Sequence, residues 1–271
     1  MTTMASTDAS PRRRVLAVVR RHFYVTIHSP TRMIELAFWP VIDLCLWGMI
    51  TTFLSREGEG LPIPVAFFLG AVLLWDLVFR AKNSVAMCLL EENHSRNVIS
   101  VLASPVTPGE YLTGALLFGL GKVAVTWSVM VILAWTLFAF GVFTLGPALT
   151  LYALVLILFG IALSLVVIGC VLRFGYAADE LAWALAGIVV PFSAVYYPVG
   201  VLPGWARTVA TVIPPAHVFE AMRAILAGQQ SAWGSVWFAL GLDMVYLGIG
   251  FAFARSMFAA LLRRGLVTRY M

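Results

Sequence analysis

Apolar and polar stretches alternate along this chain at intervals of about 20 residues, the length a helix needs to cross a bilayer. Apolar runs fall near residues 35–54, 63–85, 111–140, 148–172, 181–197 and 233–262. Several of the intervening segments are short, among them residues 55–60, the Gly146-Pro147 turn and the RFGYAADE stretch at 173–180. The pattern predicts an all-α integral membrane protein with six transmembrane helices. The run at 111–140 is long enough to tilt or to extend past the bilayer.

Two longer polar segments interrupt this rhythm. The first, residues 91–108 (EENHSRNVISVLASPVTP), opens with Glu91, Glu92, His94 and Arg96 and turns apolar at Val98, Ile99, Val101 and Leu102. Val98, Val101 and Leu102 stand at i, i+3 and i+4, one stripe of a short amphipathic helix. Ser104-Pro105 and Thr107-Pro108 end it, because a residue before proline avoids the helical region. Pattern alone leaves two readings open: a docking helix across the mouths of two spans, or a loop that only joins them. The second segment, residues 198–230, is cut by Pro198, Pro203, Pro214 and Pro215. Its pieces are too short to cross a bilayer, so it predicts short broken helices in the outer leaflet before span 6. Such breaks are tolerated only under protein cover or beside a wet cavity.

Residues 1–11 read as a disordered tail, and residues 12–271 as one six-span domain. Within it, residues 12–29 (RRRVLAVVRRHFYVTIHS) place Leu16, Val19, Phe23 and Ile27 on one arc, with Arg14 and Arg21 opposite. This predicts an interfacial helix held by anionic lipid, with Arg20 snorkelling from the apolar side. The alternative is a basic tail that only sets topology. No cleavable secretory pattern is visible at the Arg-rich start.

Composition agrees with the pattern. Hydrophobic residues make up 61% of the 271 and charged ones 11%, against about 45–50% and about 25% in soluble domains. A net charge of +5 is modest for nucleic-acid binding. Its placement fits a membrane: with the N-terminus inside, 14 of the 18 basic residues lie on inner segments or their edges, Arg80 and Lys82 among them. Only Arg56, Arg207 and Arg223 lie outside, and Lys122 is within a span. That bias puts both termini and residues 91–108 in the cytoplasm. Cys45, Cys88 and Cys170 lie far apart in or beside apolar runs. They read as buried thiols rather than a metal site or a disulfide framework.

Candidate chemistry is sparse. Gly119-Leu-Gly121-Lys122-Val123 has the wrong spacing for a phosphate-binding loop, so the chain itself should not hold ATP that way. No hydrolase triad or zinc-protease motif appears, and no catalytic residue, metal or cofactor is expected in the chain. Asp43, Asp76, Lys122 and Asp243 fall at membrane depth and must face protein or water. They read either as helix-packing pairs, for instance Lys122 with an aspartate, or as a proton or substrate path. His217 and Glu220 offer two metal ligands without a third, and a Glu220–Arg223 helical pair is the simpler reading. Tyr196, Tyr197, Trp205, Trp233 and Trp237 read as an interfacial belt, or as part of a route for an amphipathic substrate.

LASPVTPGEYLTGALL at residues 102–117 and AVYYPVGVLPGWARTVATVIPPAHVFEAMRAIL at residues 194–226 carry a resemblance that extends over nearly the whole chain. The layout resembles the permease subunit of type 2 ATP-binding-cassette exporters, a family that includes drug and lipo-oligosaccharide export permeases. The resemblance implies a pair of permease subunits, identical or paralogous, with separate ATPase subunits docked below. ATP and Mg would then sit on the ATPase, not on this chain. It also implies that residues 91–104 are the coupling helix. Glu91, Glu92 and Arg96 would supply its polar contacts, and Val98, Val101 and Leu102 its apolar anchors. Residues 173–183 resemble a second cytoplasmic contact. Tyr196, Tyr197, Trp205, His217 and Glu220 become candidates for an outer gate or substrate path. The cargo class stays open among drug, lipid and lipid-linked glycan. Two rivals remain on the residues alone: a proton-coupled transporter using Asp43, Asp76 and Asp243, and a non-transporting assembly factor.

Overall fold

The computed structural model describes residues 10–57, 66–94, 104–174, 178–230 and 232–263, and every regular element among them is helical. In chain order the helices are α1 (Pro11–Ile27), α2 (Pro30–Glu57), α3 (Ala66–His94), α4 (Pro108–Phe138), α5 (Ala148–Phe174), α6 (Ala178–Val189), α7 (Gly204–Thr211), α8 (Pro214–Leu226) and α9 (Trp233–Arg263). Short 3-10 turns occupy Val142–Leu145, Val190–Phe192 and Val199–Val201.

Four of these helices, α2, α4, α5 and α9, are long and apolar enough to cross a membrane, and the bent pair α7–α8 makes a fifth if counted as one span. The chain is therefore an all-α multi-pass membrane protein. Two of the six expected spans do not meet the same test. Helix α3 has 29 residues, but Asp76, Arg80 and Lys82 fall within its middle. Helix α6 has only 12 residues; at about 1.5 Å per residue that is well short of a bilayer core. The single helix expected over 181–197 instead tightens to a 3-10 turn at Val190–Phe192 and then to turns. Pro191, which lacks an N–H and disfavours the helical conformation of the residue before it, sits at that change.

Helix α5 is the axis of the bundle. A Cβ on Gly160 would lie 2.6 Å from the Val78 carbonyl oxygen and 2.7 Å from the Ala81 Cβ, so α3 and α5 meet backbone to backbone. On the side facing α9, a Cβ on Gly250 would lie 3.1 Å from the Ala162 carbonyl oxygen. Small residues at such crossings are how helices approach in lipid, where no hydrophobic force drives them together. Around these contacts Leu73, Leu74, Tyr152, Leu156, Phe219 and Met222 form the main core. A second core, with Cys88, Ala115, Ile168 and Cys170, fills the end nearer α1. All three cysteines are free thiols, Cys88 and Cys170 buried and Cys45 partly so.

Helices α2, α4 and α9 turn large apolar side chains outward, among them Met49, Phe53, Ile132, Trp135, Val245 and Ile249. That is the surface a lipid-facing helix presents.

Candidate functional site

The bundle has two specialised ends. One carries α1, the end of α3 and the start of α4. Helix α4 begins at Thr107, whose hydroxyl accepts from the Glu110 N–H at 3.3 Å, while the Thr107 N–H donates to Glu110 Oε2 at 2.9 Å. This is a capping box, with Pro108 in the first turn where its missing N–H costs nothing. The same Glu110 carboxylate receives Arg14 from α1, with Nη2 2.8 Å from Oε1 and Nε 3.0 Å from Oε2. A forked guanidinium–carboxylate contact fixes angle as well as distance.

Two further contacts seat α1 on α4. A Cβ on Gly114 would lie 2.7 Å from the Val18 Cβ, so only a glycine admits α1 this closely. His22 is buried, stacked on Phe118 at 5.7 Å and edge-on to Tyr111 at 5.9 Å. Burial, followed by the nearby charges of Arg21, Lys122 and Arg32, pushes its imidazole down to about 4. The Tyr111 hydroxyl in turn donates to the Cys88 carbonyl of α3 at 3.3 Å. Thus α1, α4 and α3 are tied together where the chain enters and leaves residues 95–103.

The apolar stripe expected on α1 and the face that meets the protein are different. Leu16, Phe23 and Ile27 are exposed, while Val18 and His22 face the protein. Glu91 and Glu92 lie in the last turn of α3, which continues without a break to His94. The segment expected to begin a separate helix at 91 therefore starts as part of the long one; Leu, Met and Glu, all good helix formers, prolong it. Arg96, Val98, Val101 and Leu102 lie outside the described residues.

The other end holds the broken segment. Helices α7 and α8 meet at 97°, and side chains satisfy the backbone exposed by the breaks. Arg223 is the hub. Its Nη1 donates to Glu220 Oε1 at 2.6 Å, and its Nη2 to the carbonyls of Ala194 and Tyr197, the latter at 2.8 Å. The guanidinium also lies 4.4 Å from the centre of the Phe67 ring. Glu220 Oε1 accepts the Val199 N–H at 2.7 Å. Ala194 holds a left-handed φ of 53°, unusual for a residue with a Cβ, and its carbonyl is one of those the hub holds.

His217 closes the joint between α7, α8 and α9. Its Nε2 faces the Thr211 carbonyl at 2.9 Å, and its Nδ1 faces the Ser235 hydroxyl at 2.7 Å. A carbonyl only accepts, so Nε2 carries a proton; in the neutral ring Nδ1 then accepts from the serine. The Tyr246 hydroxyl adds a bond to the Val212 carbonyl at 2.8 Å. His217 and Glu220 therefore serve different partners, and no group of three or more metal-ligating side chains occurs among the described residues. Tyr197 donates to the Pro191 carbonyl at 2.6 Å. Tyr196 stacks on Trp47 at 4.5 Å. Trp205, Trp233 and Trp237 are exposed.

The charges at membrane depth do not gather into one relay. Asp76 pairs with Arg80 on its own helix at 2.5 Å. Lys122 lies over the Phe118 ring at 5.3 Å and makes no ion pair among the described residues, so the expected Lys122–aspartate pair is not formed. Asp243 is fully buried, and neither carboxylate oxygen has a hydrogen-bond partner among the described residues. Asp43 is exposed on α2. Lys82 is buried in the bundle.

Residues 64–259, well over half the chain, match the family described as ABC-2 family transporter protein. The chain belongs to that family. No individual curated protein matches it. The ABC-2 match starts just before α3 and takes in the α3–α4 side of the first tied end, with Tyr111 and Gly114, and the Arg223 hub and Tyr246 at the other. Helices α1 and α2 lie before it.

Sequence reasoning missed the α1–α4 joint. Its signal was present as Thr107-Pro-Gly-Glu110, the spacing of a capping box. Nothing in the sequence shows that Arg14 would reach that glutamate.

Proposed function

We propose that this ABC-2 family chain is the membrane-spanning subunit of an ATP-driven exporter. Two permease subunits, identical or paralogous, frame a path for an amphipathic or lipid-like substrate. A separate ATPase subunit binds ATP and Mg and docks on residues 91–104. The chain crosses a bacterial inner membrane six times, with α3 and the stretch from α6 to residue 197 completing the count. Both termini lie in the cytoplasm, and the broken helices α7 and α8 lie on the outer side.

The match to the transporter family across residues 64–259 carries this reading. The helix geometry supports the way force would travel. Helix α3 runs unbroken to His94, and α4 starts again at the capped Thr107, so a push between them meets two stiff rods. Glu91, Glu92 and Arg96 supply polar contacts to the ATPase groove, and Val98, Val101 and Leu102 the apolar anchors. A partner shifts an equilibrium only by its differential affinity for the two states, so this grip must persist while the ATPase pair closes. Tyr196, Tyr197, Trp205, His217 and Glu220 line or brace the outer exit.

Val101→Glu tests the docking site. Loss of ATPase co-purification, with membrane insertion unchanged, is the expected result. An intact complex overturns the assignment.

Asp243 favours one second reading. A buried carboxylate without a hydrogen-bond partner among the described residues is what a proton-coupled transporter would use. Transport that persists without the ATPase and stops with a protonophore would establish it.

A further inference from the structure

Asp43 stands near the midpoint of the apolar span Pro30–Phe53 of α2, yet its side chain is exposed. A carboxylate at that depth costs at least a few kcal/mol against lipid and must face water, protein or a ligand. It makes no hydrogen bond or ion pair of its own among the described residues. The nearest fixed cation, Arg80, is already held by Asp76 at 2.5 Å. With both carboxylates ionised, the group carries one uncompensated negative charge.

The wall beside it is aromatic. Trp47, one helical turn along α2 from Asp43, stacks face to face on Tyr196 at 4.5 Å with the planes 11° apart. Its ring also lies parallel to Phe68 at 6.4 Å. Tyr196 lies near enough to feel the Asp43 charge. A carboxylate beside aromatic rings forms a site that attracts organic cations and repels anions. The rings also supply the flat apolar surface such a molecule needs for its body.

We propose that the substrate is an amphipathic organic cation, held with its charge on the Asp43 carboxylate and its apolar body against the Trp47–Tyr196 ring pair. The inference rests on the exporter reading and narrows its cargo from lipid, glycan or drug to a positively charged amphipath.

Tetraphenylphosphonium and tetraphenylborate have nearly the same shape and opposite charge, which makes them suitable probes. Binding of each is measured to the purified full-length chain in nanodiscs of neutral lipid, without the ATPase. The phosphonium binds wild type, and Asp43→Asn weakens it by about tenfold; the borate binds poorly to both. Asp43→Glu retains phosphonium binding, and Trp47→Leu weakens it, which keeps the test decisive should Asp43→Asn fail to fold. Equal binding of the two probes to wild type overturns the proposal, as does phosphonium binding indifferent to Asp43→Asn and Trp47→Leu. A wild-type dimer that Asp43→Asn converts to monomer also overturns it, by placing the carboxylate between two copies. Because binding is read without the ATPase, failure of the complex to form would leave this result standing and strike only the exporter reading.

Discussion

Arg14 and Glu110 are separated by 96 positions in sequence, yet they meet through a fork, with Nη2 2.8 Å from Oε1 and Nε 3.0 Å from Oε2. The carboxylate in that fork is the one that caps α4. One side chain thus both starts a membrane-crossing helix and holds the N-terminal helix against it.

Loss of either partner should release α1. Arg14→Ala and Glu110→Gln should each raise the rate at which trypsin cuts within residues 12–21, with the rest of the bundle intact. The charge swap Arg14→Glu with Glu110→Arg should recover part of the protection but not the capping box. Thr107→Ala tests the cap alone, at a cost of about 1 kcal/mol of helix-end stability.

Docking of α1 should weaken in acid. Burial holds His22 at about 4, below the ordinary imidazole value of 6.5. Between those values the released helix takes up a proton that the docked helix refuses. Docking is therefore complete above about pH 6.5 and is lost progressively as pH falls toward 4. A fluorophore pair on α1 and α4 should report separation at pH 5, reversible on return to 7.5. His22→Phe, which keeps a ring against Phe118 and Tyr111, should abolish the dependence. A pH response that survives this substitution would assign it to another group.

Gly160 should tolerate no side chain. A methyl group there meets the Val78 carbonyl at 2.6 Å, and backbone cannot swing aside. Gly160→Ala should destabilise the bundle by about 1–3 kcal/mol, read as a lower melting temperature in detergent. Gly121 provides the control, because a Cβ there would have nothing within 4 Å. Gly121→Ala should leave melting unchanged or raise it slightly.

Arg223→Ala should loosen the α7–α8 end. It leaves the carbonyls of Ala194 and Tyr197 without that donor, while Glu220 keeps the Val199 N–H. Each buried group left unsatisfied costs about 1–3 kcal/mol. Hydrogen exchange should accelerate over residues 193–202 and 214–226, with α5 unaffected. Arg223→Lys should rescue little, since a single ammonium cannot reproduce the planar fork.

The sequence made the large-scale architecture readable because lipid imposes a simple rule. Apolar runs of bilayer length at 148–172 and 233–262 became α5 and α9, and the prolines at 203, 214 and 215 marked the starts of α7 and α8. The Glu220–Arg223 pair followed from helical spacing. What failed was governed by contacts distant in sequence. Lys122 makes no ion pair among the described residues and lies over the Phe118 ring, while Asp76 pairs with Arg80, one turn along its own helix. The stripe of Leu16, Phe23 and Ile27 is visible in the sequence, but that α1 also grips the protein, through Arg14, Val18 and His22 at the groove of Gly114, is not. Helix α6 stops early because Pro191 outweighs the apolar character of its flanks. Asp43 and Trp47 stand one turn apart in sequence, but the stacked Tyr196 arrives from about 150 positions away and only the fold brings it there.

Helix α5 touches α3 at Gly160 and α9 at Gly250 with almost no side-chain cushion between the backbones. Layers that close cannot slide past one another without clashing, so these three helices behave as a single block. Any stroke must then be taken up at softer seams such as the one between α2 and α4, which meet through a bulky ring, Phe138 on Gly48. In a working pair of subunits, the block would be the piston and those seams its sleeve.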